Sequence, residues 1–145
     1  MEILLFTGYS ASGKSTIARQ INEKLNFDYL GERKILHNLA VSLGFKRIRE
    51  WLQSDGHEVL LEAARSDTIA RIREIGSKQG VIIDGSYDQK LPGILKNTFP
   101  KARQLIVCVD LDNQIRKKRM SIRLRESVAK AKEEMDFIDD FKNKA

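Results

Sequence analysis

Nine consecutive residues near the start of the chain, Gly8-Tyr9-Ser10-Ala11-Ser12-Gly13-Lys14-Ser15-Thr16, carry the strongest chemical signal in the sequence. They match G-x-x-x-x-G-K-[ST], a pattern in which two glycines let the main chain wrap closely round a polyphosphate. Successive N–H groups, here those of Ser10, Ala11, Ser12 and Gly13 after Gly8, then converge on the anion. Lys14 is expected to reach the β and γ phosphates and Ser15 to ligate Mg²⁺, with Thr16 beside it. The competing reading is a chance glycine-rich turn before a helix. The order of parts argues against it, because an apolar run, Glu2 to Phe6, precedes the loop and a helical stripe, Ile17, Ile21 and Leu25, follows it. The expected ligands are therefore ATP, or another nucleoside triphosphate, and Mg²⁺.

Two further groups have the right chemistry for the same site. Asp84 closes the run Val81-Ile82-Ile83 before Gly85, as an acid does that serves a Mg²⁺ ion or orients an acceptor hydroxyl. The alternative is that it merely caps the following turn. Asp110 also ends an apolar run, but Asp112 and Asn113 beside it read as a helix start. Arg116, Arg119 and Arg123 recur at spacings of three and four, which puts them on one helix face. Phosphoryl transfer needs little covalent help and much charge neutralisation, so a cationic stripe suits it; a solvated charged face is the plain alternative.

These groups need a scaffold that brings them together. Glu2 to Phe6, Phe27 to Leu30, Val81 to Gly85 and Leu105 to Val109 read as strands. The stretches after Ser15, from Arg33 to Leu43 before Gly44, and on each side of Asp55-Gly56 read as helices. Pro92 starts a short helix that closes before Phe99-Pro100, and Asn113 to Ala145 is charged and helix-prone. Strands alternating with helices imply right-handed crossovers, and hence an α/β chain with a parallel sheet between helical layers. Ligands of such sheets bind at the carboxyl ends of the strands, the edge that would hold Gly8, Asp84 and Asp110.

The bulk properties fit one domain over residues 1–145. Hydrophobic residues make up 41% and charged residues 32%, ordinary for a folded globular chain. No apolar run approaches the ~20 residues that cross a bilayer, and no export signal precedes the first strand, so a cytoplasmic protein without membrane association is expected. Cys108, the one cysteine, lies inside Leu105 to Val109 and reads as a small buried hydrophobe. The net charge of +6 favours anionic partners. Nucleic acid is the weaker reading of that charge, since stacking aromatics are not interleaved with it.

The loop, the Val81 to Gly85 segment, and Leu105 to Asp110 followed by Arg116, Arg119, Arg123 and Arg125 together resemble the P-loop nucleoside-monophosphate-kinase-like proteins. Cytidylate kinase-like, adenylate kinase-like and dephospho-coenzyme-A kinase-like members are the nearest in pattern, over almost the whole chain. The resemblance implies a three-layer α/β/α P-loop fold with a sheet of four strands, or five. It also implies a helical acceptor flap near 31–53 and an arginine lid near 116–128. It implies ATP-dependent transfer to a small phosphorylated acceptor such as CMP, with dephospho-coenzyme A next. Lys14, Asp84, Arg119 and Arg123 would be catalytic, with Arg116 and Arg119 also on the donor nucleotide. Arg33, His37, Arg47, Asp84 and Tyr87 would face the acceptor, and Ser15 and Asp84 the metal. Two departures stand out: His37 occupies the place of an acceptor-gripping arginine, and Asp84-Gly85-Ser86-Tyr87-Asp88 lacks the arginine of cytidylate kinase relatives. A P-loop ATPase or switch remains a second class, its GTPase version lowered because N-K-x-D is absent. A nucleic-acid-associated nucleotide binder is the third. The oligomeric state is left open.

Overall fold

A computed structural model describes residues 1–76, 79–85, 88–124, 132, 135–137, 139–140 and 143. The elements run β1 (Glu2–Thr7), α1 (Lys14–Leu25), β2 (Asp28–Gly31), α2 (Glu32–Ser42), α3 (Ile48–Asp55) and α4 (His57–Ile75). They continue with β3 (Gly80–Asp84), α5 (Leu91–Thr98), β4 (Arg103–Cys108) and α6 (Asn113–Leu124). Among the described residues the strands form one parallel sheet in the order β2-β3-β1-β4. The strands and helices read from the sequence up to Leu124 are therefore present, with ends shifted by a residue or two, and most of the helix-prone stretch after Leu124 lies outside the described residues.

Alternation along the central strands divides the core in two. Phe6 and Ile82 pack with Ala18 of α1 on one face, while Ile3, Leu5, Val81 and Ile83 pack with Ile72 of α4 and Leu91 and Leu95 of α5 on the other. Every residue of β3 is buried, as expected of a parallel strand covered on both sides. A third cluster joins α2, α3 and α4 around Trp51, which is fully buried and donates its indole N–H to Asp55 at 3.1 Å. That cluster packs α2 and α3, the stretch expected to form a flap, against α4.

Two expectations need correction. Of the stripe Ile17, Ile21, Leu25 only Ile21 packs against the core of the sheet: Ile17 and Leu25 are exposed, and Ala18 is the buried residue of α1. A small side chain there lets α1 approach the sheet beside Phe6 and Ile82. Cys108 is exposed rather than buried, and so are Leu105 and Ile106. β4 is the outer strand among the described residues, paired only with β1, and it is not covered on both faces as β3 is, although Val107 packs against the Phe6 cluster. An apolar run marks a strand without saying whether neighbours will cover it.

Candidate active site

The phosphate loop leaves β1 through Gly8, whose φ of +142° is a glycine conformation. A Cβ at Gly8 would also run into the Val109 carbonyl, so the start of the loop is seated against the end of β4. Gly13, with φ +94°, caps α1, and the Ile17 N–H donates to its carbonyl at 3.1 Å. Ala11 holds φ +60°, a costly backbone conformation for a residue with a Cβ, and is buried beneath Met120 and Met135. Ser10 and Ser12 are buried with it, and Ser12 Oγ meets no hydrogen-bond partner among the described residues. Thr16 is exposed one residue further on, while Lys14 and Ser15 are half-buried.

β3 brings Asp84 to this loop. Phe6 pairs with Asp84 in the parallel register, and the Gly85 N–H donates to the Phe6 carbonyl at 3.0 Å. A Cβ at Gly85, whose φ is +85°, would stand 3.3 Å from Lys14 Cε. The lysine stem thus runs directly past the residue that follows the acid. Asp84 is 9% exposed, its Oδ2 accepts a hydrogen bond from the Tyr29 hydroxyl at 2.5 Å, and its Oδ1 is buried without a partner among the described residues. Burial first, then the hydrogen bond to Asp84 and that group's charge, hold the Tyr29 phenol well above the ordinary tyrosine range, with Arg19 opposing them. Tyr29 therefore remains a donor at any physiological pH.

The arginines of α6 divide into two kinds. Arg116 is 6% exposed; its Nη1 donates to the Ser10 carbonyl at 3.2 Å and to Asp139 at 3.0 Å, and its Nη2 to Asn113 at 3.1 Å. Its guanidinium also lies over the Tyr9 ring, 4.8 Å from the centroid. Arg119 is exposed and crosses the loop at Gly13, with Nη1 3.5 Å from the Ser12 carbonyl. Arg123 is exposed a turn further along. Asp112 caps the helix that carries them, its Oδ1 accepting from the Gln114 N–H at 2.9 Å.

Of the residues expected to face an acceptor, Arg33 and His37 are exposed on α2 and Arg47 is exposed at the N-cap of α3. Tyr87, Ser86, Arg125 and the rest of the lid from 125 to 128 lie outside the described residues. Three groups carry no motif yet stand at this edge. Glu32, 1% exposed, follows Gly31, which pairs with Asp84, so a second buried acid sits at the adjacent strand end. Arg65 of α4 donates from Nε to the buried Asp88 at 2.6 Å and so pins the chain beyond β3. Hydrogen bonding to Asp88, ahead of the opposing effect of burial, raises the Arg65 pKa. The acid after an apolar run was the available signal for Glu32. Nothing in the spacing of Arg65 and Asp88 announces their pairing. A cavity of about 420 Å³ opens on the β4 side of the loop, lined by Thr7, Gly8, Tyr9, Asp88, Pro92 and Cys108, and does not include Lys14 or Asp84.

The residues present fit Mg²⁺ bound together with a nucleotide. Among the described residues no cluster of three or more His, Cys, Asp or Glu could hold a metal alone. Mg²⁺ in phosphoryl-transfer sites takes one or two carboxylates, a hydroxyl, water and phosphate oxygens, and the unpartnered Asp84 Oδ1 beside a Lys14-Ser15 loop suits that pattern. No helix among the described residues is long and apolar enough to cross a membrane.

With a parallel sheet and a G-x-x-x-x-G-K-S loop between β1 and α1, the fold is that of the P-loop kinases, which in general use ATP and Mg²⁺. A family model described as AAA domain matches residues 7–136, and the chain belongs to that family. A probable thymidylate kinase of Methanococcus vannielii is 28% identical over 141 residues, covering 86% of this chain and 68% of its own length. Among solved structures, a shikimate kinase from Bacteroides thetaiotaomicron superposes with a TM-score of 0.65 at 18% identity, covering 99% of this chain and 78% of its own. A gluconokinase from Sinorhizobium meliloti gives 0.57 at 16% identity, over 93% and 73%. Family, fold and relatives together support a phosphotransferase.

Proposed function

We propose that the protein is an ATP-dependent kinase that transfers the γ-phosphoryl group to a small acceptor, with a nucleoside monophosphate as the preferred acceptor class. The observation that carries this reading is the passage of Lys14 past Gly85 beside Asp84, which joins the donor loop to a buried acid at the strand edge where an acceptor binds. The thymidylate kinase relative supports a nucleotide acceptor, and CMP, dTMP and dephospho-coenzyme A are the candidates within it.

In this reading the main-chain N–H groups of Ser10 to Gly13 and the N-terminus of α1 bind the donor phosphates. Lys14 neutralises charge on the β and γ groups, and Ser15 and Asp84 would hold the metal, which would offset further phosphate charge. Arg119 lies across the loop and Arg123 follows it on α6, so closure of that helix would bring guanidinium charge to the transferring group. Arg116 engages Ser10 and Asp139 through Nη1 and Asn113 through Nη2, and so fastens α6 to the loop across which Arg119 lies. Arg33, His37, Arg47 and Tyr87 are proposed for the acceptor, and transfer is in line, without a covalent enzyme intermediate.

The test is a coupled ADP-release screen over CMP, UMP, dTMP, AMP, GMP, dephospho-coenzyme A, shikimate and gluconate, with Lys14→Ala as the blank. Acceptor-dependent turnover with a monophosphate supports the reading. Turnover only with a non-nucleotide removes the acceptor class, and turnover independent of any acceptor replaces the kinase by an ATPase.

A further inference from the structure

Tyr29 belongs to no motif and lies on β2, which β3 separates from β1, yet its hydroxyl is bonded to Asp84. In the parallel register Tyr29 pairs with Ile82, two residues before Asp84, so the tyrosine, Ile82 and Asp84 share one face of the sheet. That is the face on which Ala18 and α1 pack, the helix that begins with Lys14. The two oxygens of the Asp84 carboxylate have unlike surroundings. Oδ2 is held by the Tyr29 hydroxyl at 2.5 Å, while Oδ1 is buried with no partner among the described residues.

An unpartnered buried carboxylate oxygen is expensive, and a cation or cation-bound water is the kind of group that satisfies it. The outer torsion of an aspartate is soft, so a carboxylate left alone would spread over a range of orientations. A hydrogen bond to one oxygen removes that freedom and fixes where the other points. The bond is not needed to join the strands, because β2 and β3 are already in register from Asp28↔Val81 to Gly31↔Asp84.

We propose that Tyr29 is a positioning residue of the phosphoryl-transfer site: its hydroxyl anchors Asp84 Oδ2 so that Oδ1 is presented to the Mg²⁺ bound with the donor nucleotide. The proposal rests on the assignment of Asp84 to the metal. Outer residues that orient a metal-serving group commonly matter about as much to metal affinity as to activity.

The test is Mn²⁺ binding to the ADP-loaded full chain, followed by electron paramagnetic resonance, for wild type, Tyr29→Phe, Asp84→Asn and the double variant, with thermal melts alongside. Tyr29→Phe keeps the ring and its packing. It is expected to stay folded with a somewhat lower melt, because Asp84 Oδ2 loses its donor, to bind metal-free ADP normally, and to lose roughly 10-fold in Mn²⁺ affinity. The double variant should be no weaker than Asp84→Asn, because the hydroxyl acts only through that carboxylate. Unchanged Mn²⁺ affinity in Tyr29→Phe with a loss in Asp84→Asn would overturn the positioning role and leave the metal assignment standing. Unchanged affinity in both would overturn the metal assignment and the proposal with it. Losses that multiply in the double variant would show that Tyr29 acts elsewhere, which also overturns it.

Discussion

The guanidinium of Arg116 donates to the main-chain carbonyl of Ser10 at 3.2 Å, joining positions 106 residues apart. The bond ties the helix that carries the arginine stripe to the loop that would hold the phosphates. It also separates two arginines that the sequence presents as equivalents, since Arg116 is buried and engaged while Arg119 is exposed.

Arg116→Ala and Arg119→Ala should therefore fail in different ways. Removing Arg116 strips Asp139 and the Ser10 carbonyl of a buried partner and should cost on the order of 3 kcal/mol of stability, read by urea unfolding. Removing Arg119 should leave stability within about 0.5 kcal/mol and lower kcat roughly 100-fold in the acceptor assay. Equal melts and equal rates for the two variants would contradict this division.

Lys14→Ala should abolish measurable binding of ATP with Mg²⁺ by isothermal calorimetry while leaving the melt of the free protein close to wild type. Lys14 is half-buried against Gly85 and makes no core cluster. Gly8→Ala is the contrasting case. Its positive φ and the Val109 carbonyl leave no room for a methyl group, so this variant should lose stability as well as binding.

Asp88→Ala should destabilise the fold by about 3–5 kcal/mol, because it leaves the Arg65 guanidinium without its buried carboxylate. Arg65→Met with Asp88→Leu should recover part of that loss, since removing both charges removes the desolvation cost along with the attraction. Chemical unfolding of the single and double variants decides the matter.

Alkaline stability carries a signature of Tyr29. Its folded pKa is raised above the ordinary 10.0, so between that value and the folded one the native state binds more protons than the unfolded state. The tyrosine's contribution is complete below the ordinary value and declines as pH rises through the window. Tyr29→Phe should therefore lose less stability than wild type as pH climbs past about 10. Parallel declines in both proteins would contradict the assignment.

Cys108 should react with a thiol reagent in the folded protein at nearly the rate seen in denaturant, because it is exposed on β4. Protection in the native state would place a covering element over that strand.

The sequence determined the loop, because a G-x-x-x-x-G-K-S run is a local requirement of backbone freedom and charge, met within eight residues and flanked by a strand and a helix. It likewise determined the four strands and the place of Asp84 at the end of one, since apolar runs and turn residues act over short distances. Cover and pairing are different. Whether Leu105, Ile106 and Cys108 are buried depends on what packs over the faces of β4, the outer strand among those described, which no run of residues encodes. The inward face of α1 is Ala18 with Ile21, while Ile17 and Leu25 of the stripe are exposed, because the close approach of the helix to the sheet selected the small side chain at its centre. Tyr29 with Asp84, Arg65 with Asp88, and Arg116 with Ser10 are separated by 55, 23 and 106 residues. Side-chain hydrogen bonds reach only about 3 Å, so partners so far apart in the chain meet only after the sheet order and helix docking have set their positions.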